Sequence, residues 1–166
     1  PDGYIGNNGV NYAGIGNDTV VYAINVKEVK ILLAVEQTLM TLPASYAGNP
    51  GDTIPGATVR YTIRYDNDGN DTGVGFTINT KIPANTTLGF GASDSVTSTP
   101  HTGAITTIAV TDDSGVVVAD TDPNAARIRW TFSTGVGANS GDANGTVDAA
   151  IADVDAGYVQ FKVYIK

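Results

Sequence analysis

Few side chains in this sequence could carry out chemistry. The 166 residues include no Cys and a single His, His101. Without Cys there is no thiol nucleophile, no thiolate zinc site and no disulfide, and one His excludes a metal site built on two histidines. A serine triad would have to use His101. Because this residue lies in the polar stretch Pro100–Gly103, we expect a solvated loop histidine rather than a catalytic base.

Acidic loops offer a second kind of chemistry, the binding of a cation. The stretch Asp66–Asp71 supplies enough oxygen ligands for calcium. An EF-hand loop, however, requires Gly at its sixth position and Glu at its twelfth, and this sequence has Asp71 and Thr77 there. Asp and Asn are also the ordinary residues of tight turns. We therefore predict a turn here, and we predict no enzyme: no catalytic residue, no metal and no cofactor.

Charge and composition narrow the choice of partners. The formal net charge is -8, the sequence pI is about 4.3 and 42% of the residues are hydrophobic. Such a charge repels phosphate backbones and anionic lipids, so we expect no nucleic-acid partner. No apolar run is long enough to span a membrane. Pro1 is not an initiator Met, and we expect a processed chain whose secretory signal has been removed, hence an extracellular or cell-surface protein.

The elements that would position any site are strands. Apolar and polar residues alternate with period two, which is typical of half-buried strands. The clearest rows are Val59, Tyr61, Ile63 and Tyr65; Ile128, Trp130 and Phe132; and Val159, Phe161, Val163 and Ile165. Turn-forming residues separate these rows, and the stretch between Asp66 and Gly73 predicts a hairpin or a corner between two sheets. The fold class predicted is therefore all-β, a single β-sandwich.

The N-terminal part differs from the rest. Residues 1–17 are rich in Gly and Asn and too poor in contiguous apolar surface to fold alone. An alternating row follows, formed by Val20, Tyr22, Ile24 and Val26. We therefore divide the chain into an N-terminal extension, residues 1–26, which is a candidate donor strand, and one β-sandwich domain, residues 27–166.

One stretch of the sandwich domain has a family likeness. Pro55–Gly73, with its Tyr61-Thr62-Ile63 strand and its Asn67-x-Gly69 turn, is followed by Lys81–Leu88, which reads Lys-Ile-Pro-Ala-Asn-Thr-Thr-Leu. This order resembles the conserved repeat domain of unknown function found in bacterial and archaeal surface proteins, and the resemblance extends over residues 29–166. It implies an immunoglobulin-like β-sandwich that is extracellular and structural or adhesive. Here the sandwich occurs as a single copy with an extra N-terminal strand segment.

A lone sandwich with a spare strand is similar in layout to filament subunits that polymerise by donor-strand exchange. We therefore predict a structural subunit of an extracellular, pilus-like filament or surface assembly, whose partner is another copy of itself. The predicted subunit interface consists of Val10, Tyr12, Val20, Tyr22, Ile24 and Val26. Two alternatives stay open: the strand pairs within its own domain, or the protein is a monomeric cell-surface adhesion or carbohydrate-binding module.

Two further surface features are visible in the sequence. Four Asn-x-Ser/Thr sequons are candidate glycosylation sites, and they lie at Asn17, Asn70, Asn85 and Asn144. Most basic residues fall on the polar faces of the predicted strands: Arg60, Arg64, Arg127, Arg129, Lys162 and Lys166. Basic sheet faces and acidic loop tips could dock against each other, although ordinary strand alternation produces the same distribution.

Overall fold

A computed structural model describes residues 4–5, 11–12, 26–88, 96–139, 145–147 and 153–166. Within these residues all regular secondary structure is β. The strands are β1 (Tyr4–Ile5), β2 (Asn11–Tyr12), β3 (Ile31–Thr41), β4 (Thr58–Asn67), β5 (Thr77–Lys81), β6 (Thr86–Leu88), β7 (Val96–Thr99), β8 (Thr106–Thr111), β9 (Val117–Val118), β10 (Arg127–Phe132) and β11 (Ala156–Ile165). The predicted all-β class is confirmed.

Two antiparallel sheets form the body of the molecule. The first sheet has the order β3-β4-β11, and both β6 and β7 pair with the other edge of β11. The second sheet has the order β5-β10-β8-β9. Strands β1 and β2 pair separately, with Tyr4 opposite Tyr12. Two layers of antiparallel strands agree with the predicted sandwich architecture.

Period-two alternation explains how the sheets bury their inner faces. Along β10, Ile128, Trp130 and Phe132 are buried, whereas the residues between them are exposed. In β4, Val59, Ile63 and Tyr65 face inward and are buried. Stacking of these two inner faces removes the apolar rows from water, which is the main favourable contribution to the fold.

Aromatic rings join the two layers. Tyr65 of β4 lies 4.8 Å from Phe76, which precedes β5, and 5.3 Å from Phe132 at the end of β10. Further along the core, Trp130 of β10 approaches Phe161 of β11 at 6.3 Å. Because these contacts connect strands of different sheets, they fix how one layer sits on the other.

The stretch after β4 is a corner between the sheets, one of the two forms that the sequence predicts. β4 belongs to the first sheet and β5 to the second. The backbones of Gly73 and Val136 form an isolated antiparallel bridge that extends the pairing of β5 and β10 towards this corner. Among the described residues, no helix is long and apolar enough to cross a membrane.

Candidate functional site

The most unusual surface of the molecule lies on β3. In its register with β4, Leu33 is opposite Tyr65 and Val35 is opposite Ile63. Directly opposed residues of antiparallel strands point to the same face of the sheet. Since Tyr65 and Ile63 point into the core, Leu33 and Val35 point to the core side of the first sheet.

Despite this orientation, the middle of β3 is uncovered. The exposed fraction is 60% for Leu33 and 67% for Val35, whereas their partners on β4 are 0% (Tyr65) and 7% (Ile63) exposed. At the two ends of the strand, Ile31 and Leu39 pack against the core. The core side of β3 is therefore closed at both ends and open to water in the centre.

Strand β5 lies on the same side of the sandwich. The backbone leading into β5 touches the beginning of β3: a Cβ built on Gly73 would lie 3.1 Å from Val29 Cγ1 and 3.6 Å from Ile31 Cδ1. Within the described part of the chain, β5 pairs only with β10 and β3 only with β4. The exposed centre of β3 and the free edge of β5 therefore lie on the same side of the sandwich, and we call the surface formed by these two strands the β3–β5 groove.

The chain that enters β3 is attached to the corner after β4. The backbone N–H of Asp71 donates to the carbonyl of Glu28 (3.0 Å), and that of Asp68 donates to the carbonyl of Lys30 (2.9 Å). Asn70 adds two bonds, because its Oδ1 accepts from Glu28 N–H at 2.7 Å and its Nδ2 donates to the carbonyl of Val26 at 2.8 Å. Residues 26–30 are therefore held against the corner by hydrogen bonds.

Asn67 is the centre of this attachment and is fully buried. Its Oδ1 accepts from the backbone of Lys30 and Gly69, and its Nδ2 donates to the carbonyls of Asp71 and Gly137. All four hydrogen-bonding positions of the amide are thus used, which is what a buried polar side chain requires. We call residues 26–30 with Asn67 and Asn70 the corner clamp.

Charge pairs accompany the clamp on its outer side. Lys30 Nζ lies 2.6 Å from Asp68 Oδ2, and Lys27 Nζ lies 3.3 Å from Asp71 Oδ1. The hydrogen bond to Asp68 raises the pKa of Lys30 above its ordinary value. Lys27 and Asp71 are both solvent-exposed, so their ion pair contributes little to stability, whereas Lys30 is paired with an Asp68 side chain that is only 4% exposed.

The predicted interface residues can be placed only in part. Val26 is 68% exposed and stands at the outer end of the corner clamp. Tyr12 belongs to β2. The other predicted interface residues lie outside the described part of the chain: Val10, Val20, Tyr22 and Ile24. The partner of this row therefore stays a prediction.

His101 is buried, contrary to the expectation from the sequence. It was expected to be solvated, but it is 1% exposed. Its Nδ1 lies 2.9 Å from Tyr65 Oη, its Nε2 lies 3.2 Å from Thr134 Oγ1, and its backbone N–H donates to Tyr65 Oη at 2.9 Å. Burial lowers the pKa of His101 and raises the pKa of Tyr65 to about 12. The local sequence is polar, but the neighbours that bury the ring come from distant strands.

The acidic corner and two of the four sequon asparagines, Asn70 and Asn85, lie in the described part of the chain. Within the described ranges, no group of three His, Asp or Glu side chains is arranged to hold a metal. The amide nitrogen of Asn70, where a glycan would be attached, donates to the carbonyl of Val26. Asn85 is exposed and has a positive φ of 59°. Asn17 and Asn144 lie outside the described residues.

Comparison of this chain with protein-family models, with curated proteins and with solved structures found no match.

Proposed function

We propose that this protein is a structural subunit of an extracellular filament or surface assembly, and that residues 1–26 of one copy donate a strand to the next copy. The acceptor is the β3–β5 groove. In this arrangement Val20, Tyr22, Ile24 and Val26 of the donor face the acceptor core, while main-chain hydrogen bonds form along an acceptor strand edge. The partner is another copy of this chain, and neither catalysis nor a cofactor is involved.

One observation carries the proposal, the exposure of Leu33 and Val35. These side chains are in register with the buried core row of β4, yet more than half of each is in contact with water. An apolar row on the core side of a sandwich is normally covered by the opposite sheet. Among the described residues no strand covers that position beside β5, and a supplied strand would complete both layers.

The periodicity of the donor suits this acceptor. Alternate residues along a strand are about 6.8 Å apart, because each residue rises ~3.4 Å. The row from Val20 to Val26 and the core-side row of β3 therefore have the same spacing, although the β3 row is interrupted by the polar Gln37 between Val35 and Leu39. Covering Leu33 and Val35 would contribute on the order of 2 kcal/mol, since full burial of such a side chain is worth ~1.5–3 kcal/mol.

The corner clamp supports donation to another copy rather than pairing beside β3 in the same copy. Antiparallel pairing of residues 20–26 with β3 of their own domain would require the chain to reverse between Lys27 and Lys30. Instead, residues 26–30 are bonded to the corner after β4 through Asn67 and Asn70. The extension therefore enters its own sandwich at the end where β3 begins.

The resemblance to the repeat domain of surface proteins supports an immunoglobulin-like fold and an extracellular location. A monomeric adhesion or carbohydrate-binding module would instead present exposed aromatic side chains for sugars. Among the described large hydrophobic residues, the exposed aromatic is Tyr164, at 38%. The exposed aromatic surface therefore supports a sugar-binding site less strongly than the β3–β5 groove supports strand donation.

Cysteine cross-linking tests the proposal directly, since the natural chain has no Cys. Two full-length single variants, Tyr22→Cys and Val35→Cys, are mixed, oxidised and separated on a non-reducing gel. Donation between copies predicts a heterodimeric cross-link. The matched control replaces Val35→Cys by Val117→Cys, which has a similar exposure, and should give only background.

A second arm covers the opposite result. The double variant Tyr22→Cys/Val35→Cys in one chain should form cross-links between chains and a ladder of sizes. A disulfide formed only within each chain, together with no cross-link in the mixture of single variants, would contradict the proposal and would support pairing of the extension within its own domain.

A further inference from the structure

A basic cleft lies on the outer face of the second sheet. Its volume is about 320 Å³, and it is lined by Asn79, Thr80, Lys81, Thr111, Arg127 and Arg129. Its charged lining residues are on the face of the sheet opposite the core, because Ile78 and Ile128, which alternate with them along β5 and β10, are buried. The cleft is therefore separate from the β3–β5 groove.

The register of the sheet places like charges together in this cleft. Lys81 of β5 is directly opposite Arg127 of β10, which is opposite Thr111 of β8, and Arg129 belongs to the next row on the same face, with Ala109 on its other side. Directly opposed like charges destabilise a sheet. The small side chains of β8 leave space beside the arginines, so an anionic group could enter and relieve the repulsion.

The chain itself neutralises these cations only weakly. Arg127 has an ion pair with Asp113 at 3.9 Å, and Asp113 is 83% exposed. Arg129 uses its Nε to donate to Asn79 Oδ1 at 3.0 Å, a neutral acceptor that leaves the charge of the guanidinium uncompensated. Among the described residues, Lys81 has no ion-pair partner. The lining therefore presents mainly donors, which suits carboxylates better than neutral ligands.

Acidic turns stand at the same end of the second sheet. The turn after β8 carries Asp112 and Asp113, and a double turn before β10 carries Asp120 and Asp122. Both adjoin the cleft, because the N–H of Ala126, the residue before β10, donates to the carbonyl of Thr111 at 2.8 Å. One end of the molecule thus bears a basic cleft and, beside it, carboxylates of which Asp113 and Asp120 are exposed, while Asp122 is partly buried and accepts from the N–H of Asn124 with its Oδ1.

A patch with both charges side by side is self-complementary. A two-fold axis brings the same patch of two copies together, so that each cleft meets the other copy's turns. We propose that two copies of this chain associate laterally in this way, with Asp120 and Asp122 of each copy entering the cleft of the other. This contact does not rest on strand donation, since it uses a different face and would join single subunits as well as filaments.

The net charge favours this choice of partner over a polyanion. At -8, the protein as a whole repels nucleic acids and acidic polysaccharides, and the acidic turns lie directly beside the cleft. A second copy is also repelled at long range. Unlike those polymers, however, it supplies a basic cleft for the turns at the same time as carboxylates for the cleft, so two opposite-charge contacts form together.

Charge reversal tests this contact on the full-length chain. One variant, Arg127→Glu/Arg129→Glu, reverses the cleft, and another, Asp120→Lys/Asp122→Lys, reverses the turn. Each alone should lose lateral self-association by at least about tenfold, because both contacts of its pair become repulsive. A mixture of the two should recover it, since both contacts become attractive again.

The readout is capture of the untagged turn variant by the tagged cleft variant, at about 50 mM and about 500 mM salt. Capture should be strong at low salt and weak at high salt. The control variant, Arg60→Glu/Arg64→Glu, makes the same charge change on the outer face of the first sheet; any capture it gives comes from strand donation and sets the background, which the cleft variant should exceed at low salt. Thermal unfolding checks that each variant folds, and Lys81→Glu serves as a second cleft variant.

Two results would overturn the inference: unchanged self-association of both reversed variants, or a mixture that associates no better than its components. If acidic oligosaccharides bound the unmodified cleft while the mixture failed, the cleft would serve an external polyanion instead of a second copy. Since the reversed residues lie outside the β3–β5 groove, these results leave the test of strand donation untouched.

Discussion

A single substitution in the groove, Val35→Asp, should separate folding from assembly. Val35 is 67% exposed in the subunit, so a carboxylate there stays hydrated as long as the groove is open. The free energy of unfolding of the isolated subunit should therefore change by less than about 1 kcal/mol, the usual range for surface substitutions away from special features.

Assembly should suffer much more. A donated strand would cover position 35. With Asp there, assembly loses the burial of the exposed two thirds of the valine side chain, which is worth about 1 kcal/mol. It would also strip water from an unpaired carboxylate, which costs several kcal/mol unless the group becomes protonated. A total of at least ~3 kcal/mol corresponds to a loss of about two decades in the association constant.

The matched control is Val117→Asp on β9. This valine is 70% exposed. It lies on β9, the edge strand of the second sheet at the end opposite β5. Sedimentation of the full-length variants across a concentration series measures the polymer fraction, and thermal unfolding of the unassembled material measures folding. Equal assembly of the Val35→Asp, Val117→Asp and unmodified chains would refute the argument, as would an equal loss in both variants.

Three further predictions concern the fold. Burial lowers the pKa of His101 in the folded state, so the unfolded chain binds more protons. The free energy of unfolding should therefore fall as the pH drops below ~6.5, by at most about 1.4 kcal/mol per pH unit. His101→Gln should reduce this slope in denaturant titrations. Asn67→Ala should cost about 2–4 kcal/mol, because it removes the partner of four buried or part-buried backbone groups. A loss under about 1 kcal/mol in urea unfolding would disagree. Gly157→Ala should lower the free energy of unfolding by about 1–3 kcal/mol, since an added Cβ would lie 2.8 Å from the carbonyl oxygen of Thr99. Its control, Gly51→Ala, adds a Cβ that meets nothing within 4 Å and should leave the melting temperature nearly unchanged.

The sequence predicts the strands well where one face is buried and the other is wet. Along β10 the apolar row is also the buried row, so local periodicity and tertiary burial agree. The corner after β4 was predictable from its Asp, Asn and Gly residues. Strand β7 was not predicted, because Val96–Thr99 has a single strongly apolar residue and owes its position to pairing with β11.

The groove could not be predicted from local sequence. The alternating row that contains Leu33 and Val35 indicates a strand with one apolar face, but whether a second sheet covers that face depends on where the opposite sheet ends. The same holds for His101, whose burial depends on Tyr65, 36 residues earlier. In the basic cleft, Lys81 joins Arg127 only through the register of two strands.

Strand donation is tested most directly by electron microscopy of the purified native material at a resolution that traces residues 1–26. Strand donation predicts continuous fibres in which the segment from Val20 to Val26 of each subunit lies in the β3–β5 groove of its neighbour, over Leu33 and Val35. Dispersed particles, or fibres in which each segment packs on its own sandwich, would contradict strand donation.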